Sequence, residues 1–250
     1  MPLRDHFRPP LAQTVSWEAF HAVWPTFVMM RLNQWLPRGY AVEPGVHFGS
    51  PEIDIASFEA DEVPPSGFIG NGTVDQEGGG KAVVTETWAP PVAELSVAAE
   101  VPNPNEYEVR VYDHRFRRRL VAAVEIASPA NLDRPSTRGM FVSKCVSLLR
   151  HGVAVTVVDL VTSSRFNLYA ELLDLLGVAD PSLPDPPPAT YAASCRYRLA
   201  DKRPVFEAWA YPMAVGAALP TLPLWLNARF AGPLDLEGSY EDACRALRIA

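Results

Sequence analysis

The chain has 250 residues, 48% of them hydrophobic and 20% charged, and a formal net charge of −7. A compact chain of this length buries roughly 70–75% of the surface its unfolded form exposes, so a sizeable core is expected and global disorder is not. The negative balance excludes bulk coating of a polyanion, and any nucleic-acid contact has to come from a local basic patch.

The opening "MPLRDHFRPP" has charges and prolines where a signal peptide needs an apolar run. No apolar stretch approaches the roughly 20 residues of a membrane span, so a cytoplasmic protein without membrane contact is expected. Between Ser16 and Leu36, Trp17, Phe20, Trp24, Phe27, Val28, Leu32 and Trp35 recur close to helical spacing. Pro25 predicts a split of this segment into a short turn of helix and a longer one. "YAVEPGVHFG" and "PEIDIASFEA" follow as two short strands, with Asp54 inside the second. Residues 59–81 are acidic, rich in Gly and Pro and without periodicity, which predicts a long mobile loop inserted in the fold.

Beyond the loop, "AVVTETW", "AELSVAAEV", "YEVRVYDH" and "RLVAAVEIAS" are strand candidates, the last two pairing as a hairpin across "DHRFRR". From Arg134 to His151 the pattern turns helical: Pro135 suits a first turn, Phe141, Val142, Cys145, Leu148 and Leu149 share a face, and Gly152 stops it. "VAVTVVDLV" is a continuous β-branched run, the mark of a strand buried on both faces and reached through a helical crossover. A short helix around Tyr169 to Leu176 and the proline-rich "ADPSLPDPPPAT" lead to "YAASCRYRL" and "VFEAWAYPM", a hairpin around Asp201-Lys202. The chain ends with "LPTLPLWL" and a helix from about Ser239 to Leu247. The whole reads as one α/β domain over 1–250, with a core at about 16–161 in the order α-β-β-β-α-β and a C-terminal extension at about 190–250.

Cys145, Cys195 and Cys244 are odd in number and far apart, which argues for small core residues and against a disulfide framework or zinc knuckle. The five histidines lack metal-ligand spacing, and no G-x-S-x-G elbow, Walker loop or Rossmann glycine pattern occurs. His151, just past a helix end, suits a C-terminal dipole partner. Glu125 stands out as an ionisable residue in the apolar run "LVAAVEIAS". It needs either a partner, such as a nearby arginine, or a path to solvent.

A resemblance gives that residue a second meaning. "WEAFHAVW", "IDIAS", "YEVRVYD…RRLVAAVEIASPAN", the helix carrying Lys144, "HGVAVTVVDL" and the late "FEAWAYP…LPTLPLWL…PLDL" resemble the family known as domain of unknown function 4058. The pieces occur in order along nearly the whole chain, except the loop after residue 59. The central part is similar to the Uma-type branch of the PD-(D/E)xK nuclease superfamily. The resemblance implies a restriction-endonuclease-like core, a mixed sheet in the order α-β-β-β-α-β, to which a C-terminal hairpin and helix are added. It implies Asp54 and Glu125 as ligands of Mg²⁺ and, with Lys144, as the catalytic residues of a phosphodiester hydrolase. The alternative is a catalytically inactive nuclease-fold protein acting as a binding or assembly module.

The residue types suit that chemistry. Mg²⁺ takes oxygen ligands, commonly one or two carboxylates, with water and phosphate oxygens completing the shell. A nearby ammonium can orient the attacking water. Where the E-x-K motif wants lysine, two places after Glu125, stands Ala127; Lys144, bordering the helix's apolar face with Met140, Ser147 and His151, is the substitute. Each residue also has a plain alternative: Asp54 as a solvent-facing strand residue, Glu125 in an ion pair, Lys144 as a snorkelling side chain. Glu43, Ser128 and Asn131 extend the candidate cleft, although a turn cap at Ser128-Pro129 accounts for two of these. Arg115, Arg117, Arg118 and Arg119 form the densest basic cluster, a candidate phosphate contact or a solvated hairpin tip. A sheet edge and the apolar "LPTLPLWL" leave room for a homo-oligomer.

Overall fold

The computed structural model describes residues 2–47, 52–59, 88–98 and 119–249, the side chains of 45–47, 52–59 and 98 excepted. The aromatic stripe near the start forms one helix, α1 (Trp17–Leu32), opened by Ser16, whose Oγ accepts from the Ala19 N–H at 3.2 Å. The expected break at Pro25 does not occur, and Pro25 lies inside the helix. An interior proline costs about 3 kcal/mol. Phe20, Trp24, Val28 and Leu32, on both sides of it, are fully buried, and each such side chain returns about 1.5–3 kcal/mol. Trp35 falls beyond the helix and lies against Gly232, where any Cβ would collide with its ring.

Seven strands form the main sheet: β1 (Tyr40–His47), β2 (Glu52–Glu59), β3 (Leu95–Ala98), β4 (Arg119–Ile126), β5 (Ala154–Asp159), β6 (Tyr191–Ala200) and β7 (Arg203–Pro212). Their order across the sheet is β1-β2-β4-β5-β6-β7-β3, with β4 and β5 parallel and every other pair antiparallel. The parallel pair is linked through α2 (Pro129–Leu132) and α3 (Pro135–Arg150), the crossover that such a pair requires. Leaving out β3, which departs to the far edge, the chain from α1 to β5 runs helix, three antiparallel strands, helix, strand, as the pattern predicts. The C-terminal hairpin expected as an addition continues this same sheet. Asp201 and Lys202 at its tip both have positive φ, 50° and 65°, as a two-residue type I′ turn demands.

Both edges of β4 are taken, by β2 and β5. The expected hairpin between β4 and "YEVRVYDH" is therefore not how β4 is paired, and 107–114 lie outside the described residues; of the loop expected at 59–81, Glu59 ends β2 and 60–81 lie outside the described residues. Two apolar clusters cover the sheet. One packs α1, α5 (Leu236–Ala246) and a two-stranded sheet of β8 (Thr221–Trp225) and β9 (Ala231–Asp235) on Ala122, Val124 and Ile126. The other packs α3 and α4 (Leu168–Leu176) on Ala123, Ala127, Val155 and Val157.

"LPTLPLWL" belongs to the first cluster: Leu222, Leu224 and Leu226 are at most 2% exposed. It is core and offers no surface for self-association, because β9, α5 and the strands β4 to β6 already cover what the sequence leaves apolar. The three cysteines are free and buried, as composition implies. No helix among the described residues is long and apolar enough to cross a membrane.

Candidate functional site

Alternation along β4 decides where Glu125 goes. Ala122, Val124 and Ile126 face α1, so Ala123, Glu125 and Ala127 face α3. Glu125 is 1% exposed, and burying an uncompensated carboxylate in such a place is prohibitive. Compensation comes from the helix above: Lys144 Nζ donates to Glu125 Oε2 at 2.5 Å. The Lys144 side chain keeps 16% exposure, and its Nζ is 5.3 Å from the centre of the Phe141 ring. Its stem follows the border of the helix's apolar face, as the spacing predicts, but the head turns inward to Glu125 where a snorkelling lysine turns out to water.

The strand register brings Asp54 to the same row. Ile55 pairs with Val124 and Ala56 with Ala123; one residue further along each strand stand Asp54 and Glu125. The side chain of Asp54 lies outside the described residues. Positions directly opposite in an antiparallel pair carry Cβ atoms about 4.5–5.5 Å apart, a spacing at which two carboxylates can reach one ion. Glu43 pairs with Ala56 and so stands in the next row, with Ala123. Ser128 and Asn131 follow the plain alternative: the Asn131 Oδ1 accepts from the Ser128 N–H at 2.8 Å and from its hydroxyl at 2.9 Å, closing the turn into α2.

Of the basic cluster only Arg119 is among the described residues. Arg115, Arg117 and Arg118 lie outside the described residues, and the exposed Arg119 opens β4, roughly 20 Å of strand away from Glu125 at about 3.3 Å per residue. His151 caps α3, its Nδ1 2.7 Å from the Ser147 carbonyl oxygen. A shallow pocket lined by Tyr169, Asp180, Tyr191 and Tyr211 opens beyond β5, between α4, the proline-rich segment and β7. Asp180 there is spent on structure, accepting from the Tyr169 hydroxyl and from Ser182.

Two buried acids escape a reading by motif. Asp159 ends β5, fully buried; its Oδ1 accepts from the Val161 N–H at 2.9 Å, and its Oδ2 has no hydrogen-bond partner among the described residues. Burial pushes this carboxyl from an ordinary 3.8 up to about 7. Its signal was the same as that of Glu125, an acid inside a β-branched run. Glu207, on β7, is clamped by Arg196 at 2.7 Å and Arg198 at 2.6 Å. The alternation of arginines in "CRYRL" opposite a glutamate carried that signal, legible only once the hairpin register is known.

Do these residues suit Mg²⁺? The buried Glu125 carboxylate needs a positive counter-charge, which the Lys144 ammonium supplies and which a divalent ion could supply in its place. The Asp54 row adds a second carboxylate residue, and the donors are oxygens, as the ion prefers. Carboxylate oxygens are the donors such an ion prefers, so the residue types at positions 54 and 125 suit it. Among the described residues no group of three or more His, Cys, Asp or Glu side chains is arranged for a metal. Comparison of the chain with models of protein families, with curated proteins and with solved structures finds no match in any of the three.

Proposed function

We propose that the protein is a Mg²⁺-dependent phosphodiester hydrolase of nuclease-like architecture. The observation that carries this reading is the row of Asp54 and Glu125 on neighbouring strands with Lys144 bonded to Glu125. The order of elements from α1 to β5 and the sheet order β1-β2-β4-β5 support a restriction-endonuclease-like core.

The roles follow from the chemistry. Glu125 and Asp54 would hold the ion, which when bound would supply Lewis acidity toward water and a phosphoryl group. Lys144, with three donors and no acceptor, orients the attacking oxygen and steadies the negative charge it gains. The ammonium missing at Ala127 is thus delivered from the helix packed above the strand.

A second reading has its own support. The Lys144 to Glu125 ion pair accounts for the buried carboxylate without any metal, and Ala127 departs from the motif, both as expected of an inactive nuclease-fold protein serving as a binding or assembly module. The thermal midpoint decides between them: Mg²⁺ or Mn²⁺ raises it by mass action if the site binds, and does so far less after Asp54→Asn or Glu125→Gln. Hydrolysis of single- and double-stranded DNA and RNA then has to fall with Glu125→Gln. Turnover equal to that of the parent protein would reject the assigned roles.

A further inference from the structure

We propose that Lys144 is a resident cation that competes with the metal: a divalent ion takes Glu125 only by displacing the ammonium, so ion binding and release of Lys144 are one event. This rests on the reading of Glu125 as a metal ligand and adds a control to it. Glu125, 1% exposed, holds Nζ at 2.5 Å from Oε2. A carboxylate in that position cannot stay charged without a cation, and a divalent ion and an ammonium at the same oxygen repel each other in a poorly screened interior.

Lys144 is built to let go. Its stem has four rotatable bonds and the ammonium is a point charge without a fixed fork. The side chain already reaches solvent to 16%, next to the exposed Met140 and Ser147. The Phe141 ring, 5.3 Å from Nζ, offers a second seat over an aromatic face. An ammonium released there remains beside Glu125, where an attacking oxygen would be oriented. The carboxylate is therefore compensated in both states, by the lysine before the metal arrives and by the metal afterwards. Lys144 has the aminoalkyl reach for this exchange; an arginine would grip both carboxylate oxygens and resist it.

The test is Mn²⁺ binding to the full chain by titration calorimetry, with the parent protein, Lys144→Met, Lys144→Gln and Lys144→Arg. Competition predicts binding about tenfold tighter in the Met and Gln variants than in the parent, and weaker in Lys144→Arg. A second measurement needs no variant: acylation of Lys144 by an amine-directed reagent, followed by peptide mass analysis, has to quicken when Mn²⁺ or Mg²⁺ is added. A lysine that is merely structural would react at the same rate with and without metal. Equal affinity in all four proteins with unchanged acylation would overturn the competition and leave the metal site standing. No binding in any of them would overturn the metal reading, and the competition with it.

Discussion

Glu125 and Glu207 are both buried carboxylates on strands of one sheet, 1% and 6% exposed, yet they are held in different ways. Glu207 lies directly opposite Arg196 in the β6 and β7 register. Arg196 meets Oε2 through Nη2 at 2.7 Å and Nε at 2.8 Å, and Arg198 meets Oε1. The Arg196 guanidinium also sits 3.3 Å over the Trp225 ring and donates to the Ala228 carbonyl. That is a closed network in which the cations are fixed from several sides. Glu125 is met by Lys144 from another layer of the fold, the helix packed above the strand, at the end of an unbranched side chain. The difference teaches where to look for function: an acid clamped by neighbouring arginines is committed to stability, and one met by a lysine from another layer is the place where the proposed exchange of cations can be sought.

The largest effect that can sharpen this contrast is Glu207→Ala. It leaves two cations side by side on β6, of which Arg196 is buried against Trp225, and such a half-broken buried pair costs about 3–5 kcal/mol. The urea midpoint should fall accordingly, and no metal should restore it. Lys144→Met comes next. It strands the Glu125 charge, but Lys144 borders solvent, so water relieves part of the penalty and a loss of about 2 kcal/mol is expected. Adding Glu125→Gln to Lys144→Met should recover most of that loss, because removing both charges of a buried pair is close to neutral. A double variant no more stable than Lys144→Met would mean that Glu125 is held mainly by something other than Lys144.

The two regions also differ in how far the sequence announces them. The sheet through β5 follows from local pattern, because the β-branched run of 154–159 and the amphipathic face of α3 are bounded by Pro135 and Gly152. Glu125 is conspicuous for the same reason, a charge in an apolar strand. What local pattern cannot carry is register. The Asp54 row, the pairing of Arg196 with Glu207 and the departure of β3 to the far edge all depend on which strand lies beside which. The unbroken α1 was missed because tertiary burial outweighs the proline. "LPTLPLWL" looks like an exposed apolar segment in the sequence because the strands it packs on, β4, β5 and β6, are distant in the chain.

Asp159 gives a smaller effect of opposite sign. Its carboxyl is protonated in the fold up to about pH 7 and ionises near 3.8 when unfolded. The unfolded state therefore releases a proton that the native state keeps, and stability from this group, full below pH 3.8, falls as pH rises to 7. The upper limit of that loss is about 4 kcal/mol at 1.36 kcal/mol per unit. Asp159→Asn keeps an acceptor for the Val161 N–H and removes the charge. It should gain about 1–2 kcal/mol at pH 8 after allowing for the amide's own unpaired group, and little at pH 4. Equal gains at both pH values would show that ionisation of Asp159 is not the cause.

His6 supplies the mirror image, and the two together make the smallest signal. Its ring is buried between Trp17, Phe20 and Tyr240, with Nε2 2.8 Å from the Tyr240 hydroxyl. Burial lowers its pKa from 6.5 to about 4, against the pull of Asp5. Between those values the unfolded state binds a proton the native state refuses, so this group makes stability fall as pH falls. Asp159 makes stability rise as pH falls over nearly the same window, so in the parent protein the two slopes, each about 1.4 kcal/mol per pH unit at most, oppose and cancel. Urea midpoints measured through the window between pH 4 and 6.5 should therefore tilt one way in His6→Gln, losing stability with rising pH relative to the parent. They should tilt the other way in Asp159→Asn and return to the parental slope in the double variant. The residues belong to opposite faces of the sheet, so their effects should add. A double variant whose slope matches either single one would break the symmetry and assign the pH response to one group alone.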